Sequence, residues 1–114
     1  MKKMILSLLV SAVVMYLAST VCLAESEGQA VYKAHCQSCH GSAGVPNPNM
    51  ARMMGIKAVT DPAIKTLTVP QMITAVKNGK GKMKPIAGLT EAQIKDAVIF
   101  YRSFLNPQPL PPGQ

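Results

Sequence analysis

Two cysteines separated by two residues and followed at once by a histidine form the stretch of this chain that is best suited to chemistry, the segment AHCQSCHG at positions 34–41. Cysteine thiols can form a disulfide, bind a metal or attach a cofactor, and a neutral imidazole is a good metal ligand. The question that the sequence raises is what Cys36, Cys39 and His40 hold together.

Several chemistries use paired cysteines, and most of them fit this sequence poorly. A dithiol of the thioredoxin type lies among alternating strands and helices, which the sequence around Cys36 does not show. A zinc site needs ligands in well-separated directions, whereas the cysteines and histidines after residue 24 are adjacent pairs, His35–Cys36 and Cys39–His40. A disulfide would close a very short loop and leave His40 unexplained. The remaining chemistry is attachment of a c-type haem, for which C-x-x-C-H is the signature.

Helix geometry gives this spacing a physical basis. Residues three apart lie on one face of a helical turn, so Cys36 and Cys39 can form thioethers along one side of a haem. His40 follows at the position that faces the iron, and a hydrogen bond at its other ring nitrogen would fix the ring. His35 is too close in sequence to reach the opposite haem face, and we expect it on the surface.

Methionine is the natural candidate for a second axial ligand, because the chain has no histidine besides His35 and His40. Met50, Met53 and Met54 occur at the spacing of one helix face, which is typical of packing, and Met72 falls on the apolar side of a predicted helix. Met83 stands alone in the Gly- and Lys-rich stretch NGKGKMKP, where no helix or strand face is available to bury it. We therefore expect Met83 to be the ligand, with the other methionines as alternatives.

Over residues 28–105 the sequence resembles the small bacterial class I monohaem cytochromes c. The resemblance is carried by the stretches GQAVYKAHCQSCHGSAGVP and VKNGKGKMKPIAGLTEAQIKDAVIFYRSFL. It implies an all-α cytochrome c fold, with three to five helices wrapped around one covalently attached haem. It further implies that a C-terminal helix crosses the first helix.

The same resemblance assigns roles to individual residues. It implies that Cys36 and Cys39 attach the haem and that His40 and Met83 ligate the iron. It also implies that the carbonyl of Pro46 orients the histidine.

Two further residues bear on this haem site. Lys84 stands where relatives often carry proline directly after the axial methionine, which loosens the ligand loop in principle. Arg52 is a candidate for a contact with a haem propionate, and an ordinary surface arginine is the alternative.

Helix-capping patterns predict the elements that position these residues. A serine or threonine followed three positions later by glutamine is typical of a helix start. This pattern begins at Ser26, Thr68 and Thr90. The first helix should run toward Cys39, the second should end at Asn78-Gly79, and a shorter turn should follow Asp61-Pro62. Along the third, apolar residues recur at helical spacing, namely Ile94, Ala97, Val98, Tyr101 and Leu105.

The two ends of the chain differ in composition from its middle. Residues 1–24 are typical of a secretory signal peptide, with two lysines, an apolar run and a small residue at Ala24 before acidic residues. We expect cleavage after Ala24 and a periplasmic protein, and a retained membrane anchor is the alternative. Residues 25–106 are then the cytochrome c domain, and residues 107–114 are a Pro-rich flexible tail.

The chain carries a formal net charge of +7, and lysines are dense around Met83. They are Lys77, Lys80, Lys82 and Lys84. We expect them to frame the exposed haem edge and to attract acidic redox partner proteins. A solvated basic loop is the alternative. Nucleic acid binding is not expected, because export removes the opportunity and no aromatic residues interleave the lysines.

Together these features predict a periplasmic electron-transfer protein that carries one electron on a covalently bound haem c. Such a carrier makes and breaks no substrate bond, so we expect no enzyme activity and no catalytic residues. Two alternatives stay open. One is a small haem enzyme or gas sensor with an open or labile sixth position, and the other is the haem subunit of a larger oxidoreductase complex.

Overall fold

The computed structural model describes residues 1–3 and 26–107 of the chain. This part contains helical segments and no β-strand. They are α1 (Glu27–His35), α2 (Gln37–His40), α3 (Pro48–Met54), α4 (Pro62–Lys65), α5 (Val69–Asn78) and α6 (Glu91–Ser103). The predicted all-α cytochrome c fold is confirmed. The described chain has six segments rather than three to five, because a break divides the first helix and α3 was not expected.

The predicted leader and tail lie almost wholly outside the described residues. Among the residues that are described, no helix is both long enough and apolar enough to cross a membrane.

The predicted capping patterns begin three of these helices. Thr68 and Thr90 each accept a hydrogen bond from the backbone N–H of the glutamine three residues later, and each glutamine side chain accepts one from the backbone N–H of the threonine. Ser26 accepts from the N–H of Gln29 at 3.2 Å. The α5 helix ends at Gly79, as predicted. These bonds satisfy backbone donors that a helix start otherwise leaves without partners.

Helix α3 was missed by the sequence analysis, although its end signals are present. Asn47 accepts a hydrogen bond from the N–H of Met50 at 2.8 Å, Pro48 occupies the first helical position, and Gly55 ends the helix in the left-handed conformation. Of the methionines on α3, Met53 is 68% exposed and lies outside any packed face, whereas Met50 and Met54 are partly buried.

The N-terminal and C-terminal helices pack directly against each other. A Cβ atom at Gly28 would lie 2.3 Å from the carbonyl oxygen of Asp96, so only glycine allows α1 to approach α6 this closely. Beside this contact, Met72 from α5 is buried with Ile94 and Val98 from α6. The prediction that Met72 is a core residue is therefore confirmed. Both α1 and α5 pack on α6.

Candidate haem site

A break in the first helix places the C-x-x-C-H motif on its own turn. Cys36 ends α1 with φ −119° and ψ −39°, and the single turn of α2 follows at once. The carbonyl of Cys36 accepts hydrogen bonds from the N–H groups of Cys39 at 3.2 Å and His40 at 2.9 Å. The two thiols and the imidazole are thereby held within one helical turn, as the spacing predicts.

Tyr32 fixes the point at which the chain leaves this turn. Its hydroxyl donates to the carbonyl of Gly41 at 2.6 Å, and its side chain is only 2% exposed. The ring is surrounded by aromatic residues of α6 and the residue after it, with centroids 5.4–5.9 Å away. These neighbours are Phe100, Tyr101 and Phe104. Burial raises the pKa of the Tyr32 phenol, so the hydroxyl stays protonated and continues to donate.

The imidazole of His40 is held in an apolar setting. Its ring meets that of Tyr101 edge-on, with centroids 5.5 Å apart. Burial lowers the pKa of His40, which favours the neutral imidazole that binds metal ions. Its Nδ1 atom is buried and has no hydrogen-bond partner. A neutral imidazole of this kind is chemically suited to ligate the iron of a haem, and its Nδ1 would then be the nitrogen that calls for a hydrogen-bond acceptor.

The Pro46 carbonyl does not accept a hydrogen bond from His40 in this structure, because Nδ1 has no partner. Pro46 itself is buried in the loop that follows α2. The same loop is anchored where the carbonyl of Gly44 accepts from the N–H of Val59 at 2.8 Å. The role of Pro46 stays a prediction.

Both cysteines are free thiols and both are partly accessible. Burial, with a smaller contribution from Cys39, raises the pKa of the Cys36 thiol to about 11. The structure does not form the short disulfide that was considered above. Two unpaired thiols on one turn beside a neutral imidazole fit covalent haem attachment. His35 lies exposed, as expected.

Met83 closes a tight turn on a separate part of the chain. Lys80 and Met83 exchange two backbone hydrogen bonds of 2.9 and 3.0 Å. A Cβ atom at Gly79, where φ is +78°, would lie 2.7 Å from the Met83 carbonyl oxygen, so this approach requires glycine. Ile86 donates to the carbonyl of Val76 at 3.0 Å and fastens the following residues to α5. Among the described contacts, none joins Met83 to His40.

The basic residues near this turn differ in their contacts. The Lys77 ammonium pairs with the Glu91 carboxylate at 2.7 Å, and this hydrogen bond lowers the pKa of Glu91. Lys82 donates to the carbonyl of Met53 at 2.6 Å, a contact between distant parts of the chain that no local sequence pattern signals. Arg52 donates to Asn49 on its own helix at 2.6 Å. Its predicted propionate contact stays a prediction.

Apolar side chains around these loops are only partly covered by the polypeptide. Met50, Met54, Ile56, Met83 and Ile86 are all of intermediate exposure. The buried core of the described residues is small and leaves these side chains partly uncovered. A bulky apolar cofactor would give them a surface to pack on.

Comparison with known proteins identifies one family. The family described as "Cytochrome C oxidase, cbb3-type, subunit III" matches residues 24–100. This range contains the C-x-x-C-H motif and Met83. A search of curated proteins and a search of solved structures each found no match to the chain.

Replacing Tyr32 with phenylalanine should destabilise the haem-loaded protein, because the Gly41 carbonyl loses its 2.6 Å hydrogen bond and keeps only the longer one from the Gly44 N–H, at 3.4 Å, while the ring packing is kept. We expect the free energy of unfolding to fall by about 0.5–1.5 kcal/mol, measured by guanidinium denaturation followed by far-UV circular dichroism. Tyr101→Phe is the matched control, since no hydrogen bond of the Tyr101 hydroxyl occurs among the described residues. Equal losses in both variants would contradict the bracing role of Tyr32.

Proposed function

The chain belongs to the cbb3-type cytochrome c oxidase subunit III family, whose members contain a c-type cytochrome domain, and from that premise we propose that it is a one-electron carrier with His40 and Met83 as axial ligands. A c-type cytochrome domain holds its haem covalently, and the chemistry of the bound group is reversible one-electron transfer at iron. Cys36 and Cys39 are the residues that would hold it. The observation that carries this proposal is the helical turn that presents both thiols beside a neutral imidazole whose Nδ1 has no hydrogen-bond partner.

Met83 is proposed as the sixth ligand on the strength of its surroundings. Its backbone is held in a narrow turn, its side chain is partly covered, and the loop on either side is fastened to α5 and α3. The sequence provides no spare histidine as an alternative. A thioether ligand favours the reduced iron and so raises the reduction potential.

We propose that the protein is exported, with residues 1–24 as its signal peptide and the electron-transfer domain in the periplasm. The charged, apolar and small-residue regions of the leader support this proposal. The monohaem class I type is likewise proposed, since residues 26–107 contain one C-x-x-C-H motif.

The family description favours a second form of the same function, in which the chain is the haem subunit of an oxidase complex. Both forms use the same residues for electron transfer. They differ in whether the domain diffuses between partners or stays docked to one.

Acidic redox proteins are the proposed partners. Lys77 and Lys82 already have partners in Glu91 and the Met53 carbonyl, whereas the exposed side chains of Lys80 and Lys84 make no hydrogen bond or ion pair among the described residues. These two ammonium groups flank the Met83 turn and are available to a carboxylate-rich surface. Exposed charges of this kind act chiefly on the rate of encounter.

Replacing Met83 with alanine should leave the haem attached but open one iron position and lower the reduction potential, because the thioether donor is lost. The oxidised variant should lack the weak red-end absorption from sulfur-to-iron charge transfer, and the reduced variant should bind carbon monoxide. Met53→Ala is the control, because its side chain is mostly exposed. An unchanged potential in Met83→Ala would move the ligand to another methionine, and ready binding of carbon monoxide by the unaltered protein would favour the gas-sensor or enzyme alternative.

Replacing Lys80 and Lys84 together with glutamate should slow electron transfer to an acidic partner protein, with the largest effect at low ionic strength, where charges on the surface are least screened. Stopped-flow rates across a salt series measure this. The control double variant is Lys65→Glu with Lys95→Glu, which changes net charge equally at exposed lysines on other helices. Equal slowing by both pairs would show that only total charge matters.

A further inference from the structure

One side-chain hydrogen bond connects the Met83 turn to a distant helix. The Lys82 ammonium donates to the backbone carbonyl of Met53 at 2.6 Å, across 29 residues of sequence. Met53 lies in the last turn of α3. Of the described side-chain hydrogen bonds, this is the one that ties residues 80–84 to another element.

The chemistry of this contact favours a cation. Carbonyls in the last turn of a helix lack partners within the helix, and positive groups are stabilised near them. At the end of α3, the carbonyl of Ala51 accepts from the N–H of Gly55, while the carbonyl of Met53 receives the Lys82 ammonium. Such charge-assisted bonds are stronger than those between neutral groups.

The backbone around Met83 has few other restraints. The two hydrogen bonds between Lys80 and Met83 hold the turn together but do not fasten it to anything else. The next backbone bond along the chain is that of Ile86 to Val76. Lys84 follows the methionine directly, and the proline that restricts the backbone stands one residue later, at Pro85.

We propose that Lys82 is a positioning residue that latches the Met83 turn to α3 and so slows the departure of the Met83 thioether from the iron. The inference rests on the proposed ligation by Met83. Displacing that side chain requires the turn to move away, and with the latch in place the movement must also break the Lys82–Met53 hydrogen bond. Lys82 acts through the turn and does not itself touch the iron.

The test measures how fast imidazole replaces Met83 in the oxidised, haem-loaded protein. At high imidazole concentration the observed rate reaches a limit set by departure of the methionine. Lys82→Ala should raise this limiting rate by about three- to tenfold. Lys82→Arg keeps a donor of similar reach and should stay near the unaltered rate. Lys95→Ala removes one charge from an exposed position on α6 and should leave the rate unchanged.

The possible results of this experiment distinguish a failure of the proposed latch from a failure of the proposed ligation by Met83. If the red-end band is present and Lys82→Ala binds imidazole at the unaltered rate, the latch is overturned while Met83 remains the ligand. If Lys95→Ala accelerates binding as much as Lys82→Ala, charge alone explains the effect and the latch is again overturned.

If the unaltered protein lacks the band and binds imidazole as rapidly as Met83→Ala, the proposed ligation fails and the latch with it. A merely structural role for Lys82 would lower the midpoint of global unfolding without changing the limiting rate under native conditions. That result would also overturn the proposal.

Discussion

The hydrogen bond from the Tyr32 hydroxyl to the Gly41 carbonyl holds the chain at the point where the C-x-x-C-H turn ends, and the candidate site depends on it. Tyr32 belongs to α1, packs against the aromatic residues of α6 and its end, and reaches past the break at Cys36 to the residue after His40. The pairing of α1 with α6 therefore fixes where the thiols and the imidazole lie. Only a glycine at position 28 allows α1 and α6 to approach this closely. The position of the thiols and the imidazole therefore depends on a contact between the N-terminal and C-terminal helices.

The Met83 turn, the proposed second half of the site, is built differently. The Met83 turn has no core of its own, and its position is set by hydrogen bonds to neighbouring elements, one from Ile86 to α5 and one from Lys82 to α3. Its local stability should be lower than that of the α1–α6 pair, since it buries little apolar surface. A firmly held attachment turn and a more loosely held Met83 turn suit the proposed carrier, in which the thioether links of Cys36 and Cys39 would be permanent and the proposed contact between the Met83 sulfur and the iron could be tuned.

The sequence predicted best those features that depend on interactions between residues close together along the chain. Capping by Thr68 and Thr90 involves residues three apart, and both helix starts were predicted from it. Asn47 and Gly55 are start and end signals of the same local kind for α3, which was not among the predicted helices. No local sequence signal predicts the break at Cys36, because cysteine is not a residue that ends helices in the way that glycine or proline does. The Lys82–Met53 bond joins a long flexible side chain to a backbone atom far along the chain, so only the tertiary structure reveals it.

Covalent attachment through Cys36 and Cys39 is the claim on which the electron-carrier function stands. The most direct test is the intact mass and visible spectrum of the chain after expression with a haem-attachment system, beside the double variant Cys36→Ala with Cys39→Ala. The account predicts a coloured product heavier than its polypeptide by one haem, and a variant with no covalently bound haem. A colourless product of unaltered sequence, with the mass of its amino acids alone, would contradict it.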